Sequence, residues 1–298
     1  MAKRIQASVT PNEAKKLIAR AIAQMPEVRH ALDNGILVLK GGTTISALAE
    51  EIASVQLVIH GRISQRGTTT TANHSVDPHI VSVEGGKVKT IRIENFDDVD
   101  EVAARMGRDD VLVTSANALD IHRKTALMVG RPLGSLAGRF LPSLMVKGVK
   151  IIIGIGWEKL IPNSIEEALQ AAGNNRIDLA TGTAVGLLPL TGTVVTETDA
   201  VTMLTGARTT VIGAGGIMGG EGSTTFVAEG EDSQLKKAWE LIQSVKGAEM
   251  SGVPASLPEC QPKNPTCTRF FTYGTCRMPA HYACTLRQPN LARKVFRS

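Results

Sequence analysis

Apolar and polar positions alternate between two periods along the chain. Leu17, Ile18, Ala21, Ile22 and Met25 recur at helical spacing. The run opens on Thr10-Pro11-Asn12-Glu13, where Thr10 can cap, Pro11 suits the first turn and Glu13 completes a capping box. Pro26 ends it, and Asn34-Gly35 makes a turn. The continuous apolar run ILVLK (36–40) reads as a short buried strand, and Ile45, Leu48, Ala49 and Ile52 mark the face of the next helix. LVIH (57–60) predicts a further strand. Residues 64–79 show no period and form a polar loop of the length usually reserved for function or disorder.

The same logic continues. IVSV (80–83) and KVKTIRI (87–93), joined by Glu84-Gly85-Gly86, predict a hairpin. Residues 97–107 predict a helix with acidic residues at its start and Gly107 at its stop. VLVT (111–114) follows as a strand. KIIIGIG (150–156) is apolar on both faces and therefore belongs in the middle of a parallel sheet. Ser164 and Glu167 form a capping box for a helix that Gly173-Asn174-Asn175 closes. A short helix ends at Gly206, strands at 209–215 and 223–230 flank a glycine loop, and 232–246 is an amphipathic helix. Strands alternating with helices predict an α/β fold: a Rossmann-like, mostly parallel sheet flanked by helices, with a second α/β part. The expected division is 1–130, 131–250 and a tail, 251–298.

Charge changes the picture only at that tail. The chain has 298 residues and a net charge of +5. From Cys260 to Ser298 there are seven basic and no acidic residues, so removing that +7 from the total leaves residues 1–259 at −2. The body gives no reason to expect nucleic acid; any attraction to a polyanion belongs to the tail. All four cysteines lie there, as Cys260-x6-Cys267-x8-Cys276-x7-Cys284. In a reducing compartment such a group reads as zinc or iron–sulfur ligation rather than disulfides, and the spacing does not choose between the two. His281 could replace one sulfur. A basic tail without metal is the other reading. The stretch 267–277 looks like the first half of a Cys-Cys-Cys-His RNA-binding zinc finger, but the second half of that spacing is missing. No apolar run of membrane-spanning length and no leader-type apolar core is present, so a cytoplasmic protein without a membrane partner is expected. A homo-oligomer is expected as well.

The chemistry concentrates at strand ends. Lys40-Gly41-Gly42-Thr43-Thr44 stands where a strand meets a helix. Free N–H groups and the helix dipole favour an anion there, glycines let backbone approach it, and the hydroxyls add donors. A tight turn with Thr43 or Thr44 as cap is the plainer alternative. The motif is neither a P-loop nor G-x-G-x-x-G. Strand, GGTT and the helix that follows resemble the phosphate loop of the group containing ribose-5-phosphate isomerase, glucosamine-6-phosphate deaminase and the sugar-sensing domain of DeoR-type regulators. The resemblance covers residues 36–51 and implies that fold and a bound phosphate. The isomerase's acidic Asp-Gly-Ala-Asp-Glu stretch has no counterpart in this chain, so no isomerase mechanism carries over.

Other strand ends gather reactive groups. Asp120, His122 and Lys124 follow a strand and are candidates for acid–base work, or else a solvated loop. Glu158 and Lys159 stand at the same expected crevice edge. Glu221 is the one charged group in the glycine stretch 213–223, a candidate nucleophile or base, or else part of a bulged hairpin. Two function classes follow: an enzyme of isomerase or transferase type acting on a phosphorylated or carboxylated metabolite, or a non-catalytic metabolite sensor whose basic tail contacts nucleic acid.

Overall fold

The structure, a computed structural model, describes residues 3–64, 67–70, 78–92 and 96–257. The polar stretch 71–77 and the cysteine tail from 258 onward lie outside these described residues. The chain begins with β1 (Lys3–Val9), α1 (Pro11–Gln24), α2 (Pro26–Asn34), β2 (Ile36–Lys40) and α3 (Thr43–Ala53). There follow β3 (Gly61–Ser64), β4 (Gly67–Thr70), β5 (Ile80–Glu84), β6 (Lys87–Ile91), α4 (Phe96–Arg105) and β7 (Val111–Ser115). Next come β8 (Ala118–Leu119), β9 (Thr125–Val129), α5 (Ser135–Val146), β10 (Lys150–Gly154), α6 (Ile165–Ala171), β11 (Gly186–Leu190) and β12 (Thr193–Val195). The last elements are α7 (Glu197–Thr205), β13 (Arg208–Gly215), β14 (Ser223–Gly230) and α8 (Asp232–Gln243).

A six-stranded sheet in the order β12-β10-β7-β2-β5-β6 forms the centre. Its first four strands are parallel, β5 runs antiparallel to β2, and β6 antiparallel to β5. The α/β expectation is met, as a mixed sheet whose strands are mostly parallel. The sheet takes strands from both sides of residue 130.

Period-two alternation divides the strands between two cores. Leu37, Leu39, Val111, Val113 and Ile152 face a core shared with α1, α3 and α7. Ile36, Val38, Leu112, Ile151 and Ile153 face the other, closed by Val99 and Val102 of α4 and Leu136, Phe140 and Leu144 of α5. The uniform apolar run of β10 is thus explained: it has a parallel neighbour on each side and a helical layer over each face.

The first core continues into a second, antiparallel sheet, β1-β14-β13, through Val9, Phe226 and Ala228, with α8 packed on it by Leu235, Ala238 and Ile242. β13 and β14 are the two arms of the glycine hairpin read from the sequence. β9 lies between β8 and β11 in a third small sheet. Thr10 and Glu13 form the expected capping box of α1, and Ser164 caps α6 by accepting from Glu167 N–H.

Leu57–His60, read as a strand, is irregular chain instead. Leu57, Val58 and Ile59 are buried, but their N–H groups are satisfied by Ser46 Oγ, Pro78 O and Ser256 Oγ in turn. No ladder is needed where loops and side chains supply the acceptors.

Candidate functional site

The four parallel strands end together. β2 ends at Lys40, β7 at Ser115, β10 at Gly154 and β12 at Val195, so the loops beyond them share one edge of the sheet. In an open α/β sheet this carboxyl edge is where ligands bind.

Beyond β2 and β7 lies a cavity of about 140 Å³, room for a small metabolite rather than a single water. Lys40, Gly41, Gly42, Ser115 and Asn117 line it from the strand ends. His60 and His79 line it from the loops before β3 and β5, and Arg131 from the loop after β9. Leu127, Met128, Leu136 and Ala137 supply an apolar wall.

The two glycines are dictated by what packs on them. A Cβ on Gly41 would collide with the His79 ring, and its N–H donates to His79 O at 3.0 Å. Gly42 has φ +131°, and a Cβ there would stand 2.5 Å from Ser115 Oγ. Gly42→Ala should therefore lower stability by about 2 kcal/mol, through backbone strain and a displaced Ser115. Urea denaturation checks this, and an unchanged midpoint would show that the loop is slack.

Lys40 is 7% exposed, and among the described residues its ammonium has no hydrogen-bond or ion-pair partner. Burial pushes its pKa down to about 8. Among the described residues no carboxylate lines the cavity. His79 is pushed down to about 3, first by burial and then by the charges of Lys40 and Arg131, against the opposing bond to Val58 O. It is therefore neutral at physiological pH. Its Nδ1 donates to Val58 O at 3.2 Å, which leaves Nε2 without a proton. The His60 ring stands edge-on to it, 4.5 Å between centroids.

α3 begins without a side-chain cap, so its first N–H groups are open to an acceptor. Thr44, its second residue, is buried with an unpartnered Oγ1. Thr43 is half-buried, and neither threonine lines the cavity. The Ser46 hydroxyl is committed to Leu57 N–H.

A second group of charges lies beyond β10 and β12. Glu197 opens α7 yet is 0% exposed. Its carboxylate accepts from Trp157 N–H at 3.1 and 3.3 Å, with a further bond from the Thr224 side chain. Burial first, then the neighbouring Glu158, pushes its pKa up to about 7. Both carboxylate oxygens of Glu158 are buried with no partner. A Cβ on Gly156 would run into Glu158 Oε2, so the glycine is what lets this side chain fold back. Lys15 and Lys159 flank it; burial pushes each of them down and Glu158 partly opposes this. Lys159 Nζ donates to Ala116 O at 2.9 Å, tying the loop after β10 to the end of β7.

The other candidates fall elsewhere. Asp120 is fully buried and accepts from the N–H groups of His122 (2.8 Å), Lys124 (2.9 Å) and Ile165 (3.1 Å). Burial pushes its carboxyl up, and those three donors outweigh burial and hold it low. This is the environment of a carboxylate that fastens a loop to the start of α6. Asp120→Asn should cost about 2 kcal/mol, because one buried N–H then faces an amide NH₂ instead of an oxygen. It should leave ligand affinity unchanged, which titration calorimetry on the variant checks. The His122 and Lys124 side chains are exposed, and Lys124 pairs with Glu166 at 2.6 Å. Glu221 is exposed in the turn between β13 and β14, accepting from Gly219 N–H at 2.9 Å. Its neighbour Gly222 packs near Pro11 and the Glu158 side chain.

Cys260, Cys267, Cys276 and Cys284 lie outside the described residues, among which no group of three His, Cys, Asp or Glu side chains could hold a metal. No helix among the described residues is long and apolar enough to cross a membrane.

Sequence reasoning reached Lys40, Gly41, Gly42, Glu158 and Lys159 through their places after apolar strands. It missed His60, the last residue of the segment expected as a strand, His79, from the stretch without a period, and Arg131. Comparison with protein families, with curated proteins and with solved structures finds no match for this chain.

Proposed function

We propose that this chain binds a small phosphorylated or carboxylated metabolite at the carboxyl edge of its central sheet, and that it is an enzyme of isomerase or transferase type. The observation that carries the reading is Lys40: a lysine 7% exposed, in a cavity whose described lining residues include no carboxylate, beside an uncapped helix start. Burying an unpaired charge is costly, so the arrangement is explained by an anionic partner that arrives from solution. Arg131 adds positive charge to the same cavity. The resemblance of the GGTT segment to sugar-phosphate loops supports phosphate over carboxylate. The buried Glu197 at a neighbouring strand end favours an enzyme over a sensor, because a carboxyl titrating near neutrality suits proton transfer.

Titration calorimetry with inorganic phosphate and with a panel of phosphorylated and carboxylated metabolites tests the reading. Wild-type protein should bind at least one of these anions, and Lys40→Met should lose at least tenfold in affinity. Equal affinity in the two proteins would remove the cavity from the binding site.

A further inference from the structure

Electrostatics alone would be served by a lysine at the cavity mouth, where its ammonium stays hydrated. Lys40 instead sits at the last position of β2, 7% exposed. An apolar wall that includes Leu127 and Leu136 faces the same space. Arg131, of like sign, lines the same cavity, and no carboxylate among its described lining residues fixes the ammonium in place. Those conditions favour a free amine.

Resting on the anion-binding reading above, we propose that Lys40 is a nucleophile that forms an imine with a small aldehyde or ketone carrying a carboxylate or phosphate. Arg131 holds the anionic end in the same cavity, and the carbonyl carbon is presented to Nζ. The Nζ lone pair attacks that carbon and a C–N bond forms. The carbonyl π pair moves to oxygen, which takes up a proton. The nitrogen gives up one proton, a second proton reaches the hydroxyl, and water leaves. The product is a protonated imine, with no change of oxidation state. Solvent water that enters the cavity carries these protons, and the His79 imidazole stays neutral throughout.

The amount of free amine is adequate. With a pKa near 8, roughly a tenth of Lys40 is unprotonated at pH 7, some 300-fold more than for an ordinary lysine. A cation–anion contact accounts for a lysine near a phosphate; a place at the last position of a buried strand, facing an apolar wall, suits a free amine as well.

Trapping reads the imine directly. The full chain is incubated at pH 7 with pyruvate, and separately with glycolaldehyde phosphate, in the presence of cyanoborohydride. Sites of reductive alkylation are then mapped by peptide mass spectrometry. Lys3 and Lys236, both largely exposed, serve as internal references. Lys40 should be alkylated at least tenfold faster than either, with at least one of the two probes. Inorganic phosphate in excess should slow that labelling. Lys40→Arg, whose guanidinium is no nucleophile at pH 7, should show no fast adduct at this position. Labelling of Lys40 no faster than Lys236 with both probes overturns the imine. If phosphate binding is intact at the same time, only this inference falls and the anion-binding reading stands. Fast labelling that phosphate does not slow supports the nucleophile and removes the phosphate-bearing class from its substrates.

Discussion

Lys40→Met is expected to make the protein more stable at pH 7 while it weakens anion binding at least tenfold. Below pH 8 the lysine is protonated in both the folded and the unfolded chain, and the folded chain bears the whole cost of burying the charge. The fall from the ordinary 10.5 to about 8 sets that cost at roughly 3 kcal/mol. Between pH 8 and 10.5 the unfolded chain holds more protons at this position than the folded one, so this position adds stability as pH rises. Methionine fills similar volume, needs no partner and does not titrate. The variant should therefore exceed wild type by up to about 3 kcal/mol at pH 7, and the difference should shrink toward pH 10.5. Urea midpoints at pH 7 and pH 10, with slopes to confirm that the same surface unfolds, measure both. A variant less stable than wild type at pH 7 would mean that the ammonium is satisfied in the folded protein, and the argument for an absent anion would go with it. Gain of stability with loss of binding is the pattern of a binding residue kept at a cost to the fold.

The legible parts of the sequence are those that depend on local rules. A capping box needs only two side chains three positions apart, and Thr10 with Glu13 is where it should be. A strand apolar at successive positions must be covered on both faces, and Ile151, Ile152 and Ile153 are. A strand ending in two glycines before a helix implies a close approach of backbone to something; His79 and Ser115 turn out to fill part of that space. The parts that stayed hidden depend on adjacency. Nothing in β1 says that Val9 pairs with Thr224, over two hundred residues away. Strand order decides which loops share an edge, so the meeting of Lys40 with His79 and Arg131 follows from β2 lying between β5 and β7. Asp120, His122 and Lys124 show the converse. They are close in sequence and chemically suggestive, yet the loop spends Asp120 on backbone N–H groups and leaves the other two side chains exposed.

Glu197 offers the second large effect, of opposite sign in pH. Its carboxyl is pushed from the ordinary 4.5 up to about 7 by burial and then by Glu158. Between those values the folded chain holds more protons at this position than the unfolded one, so stability falls as pH rises from 4.5 to 7. Above pH 7 the folded chain carries the full penalty, roughly 3 kcal/mol. Glu197→Gln keeps an oxygen for Trp157 N–H and the Thr224 hydroxyl and removes the charge. It should match wild type near pH 4.5 and exceed it by up to about 3 kcal/mol at pH 8. Glu158→Gln, with wild-type Glu197, should narrow the window from above, because one of the two forces raising the pKa is gone. Urea denaturation of the three proteins across pH 4.5–8 separates these outcomes. A constant difference between Glu197→Gln and wild type over that range would show that Glu197 is ionised throughout. A carboxyl ionised at every working pH has no proton to give, and Glu197 could then act only as a proton acceptor.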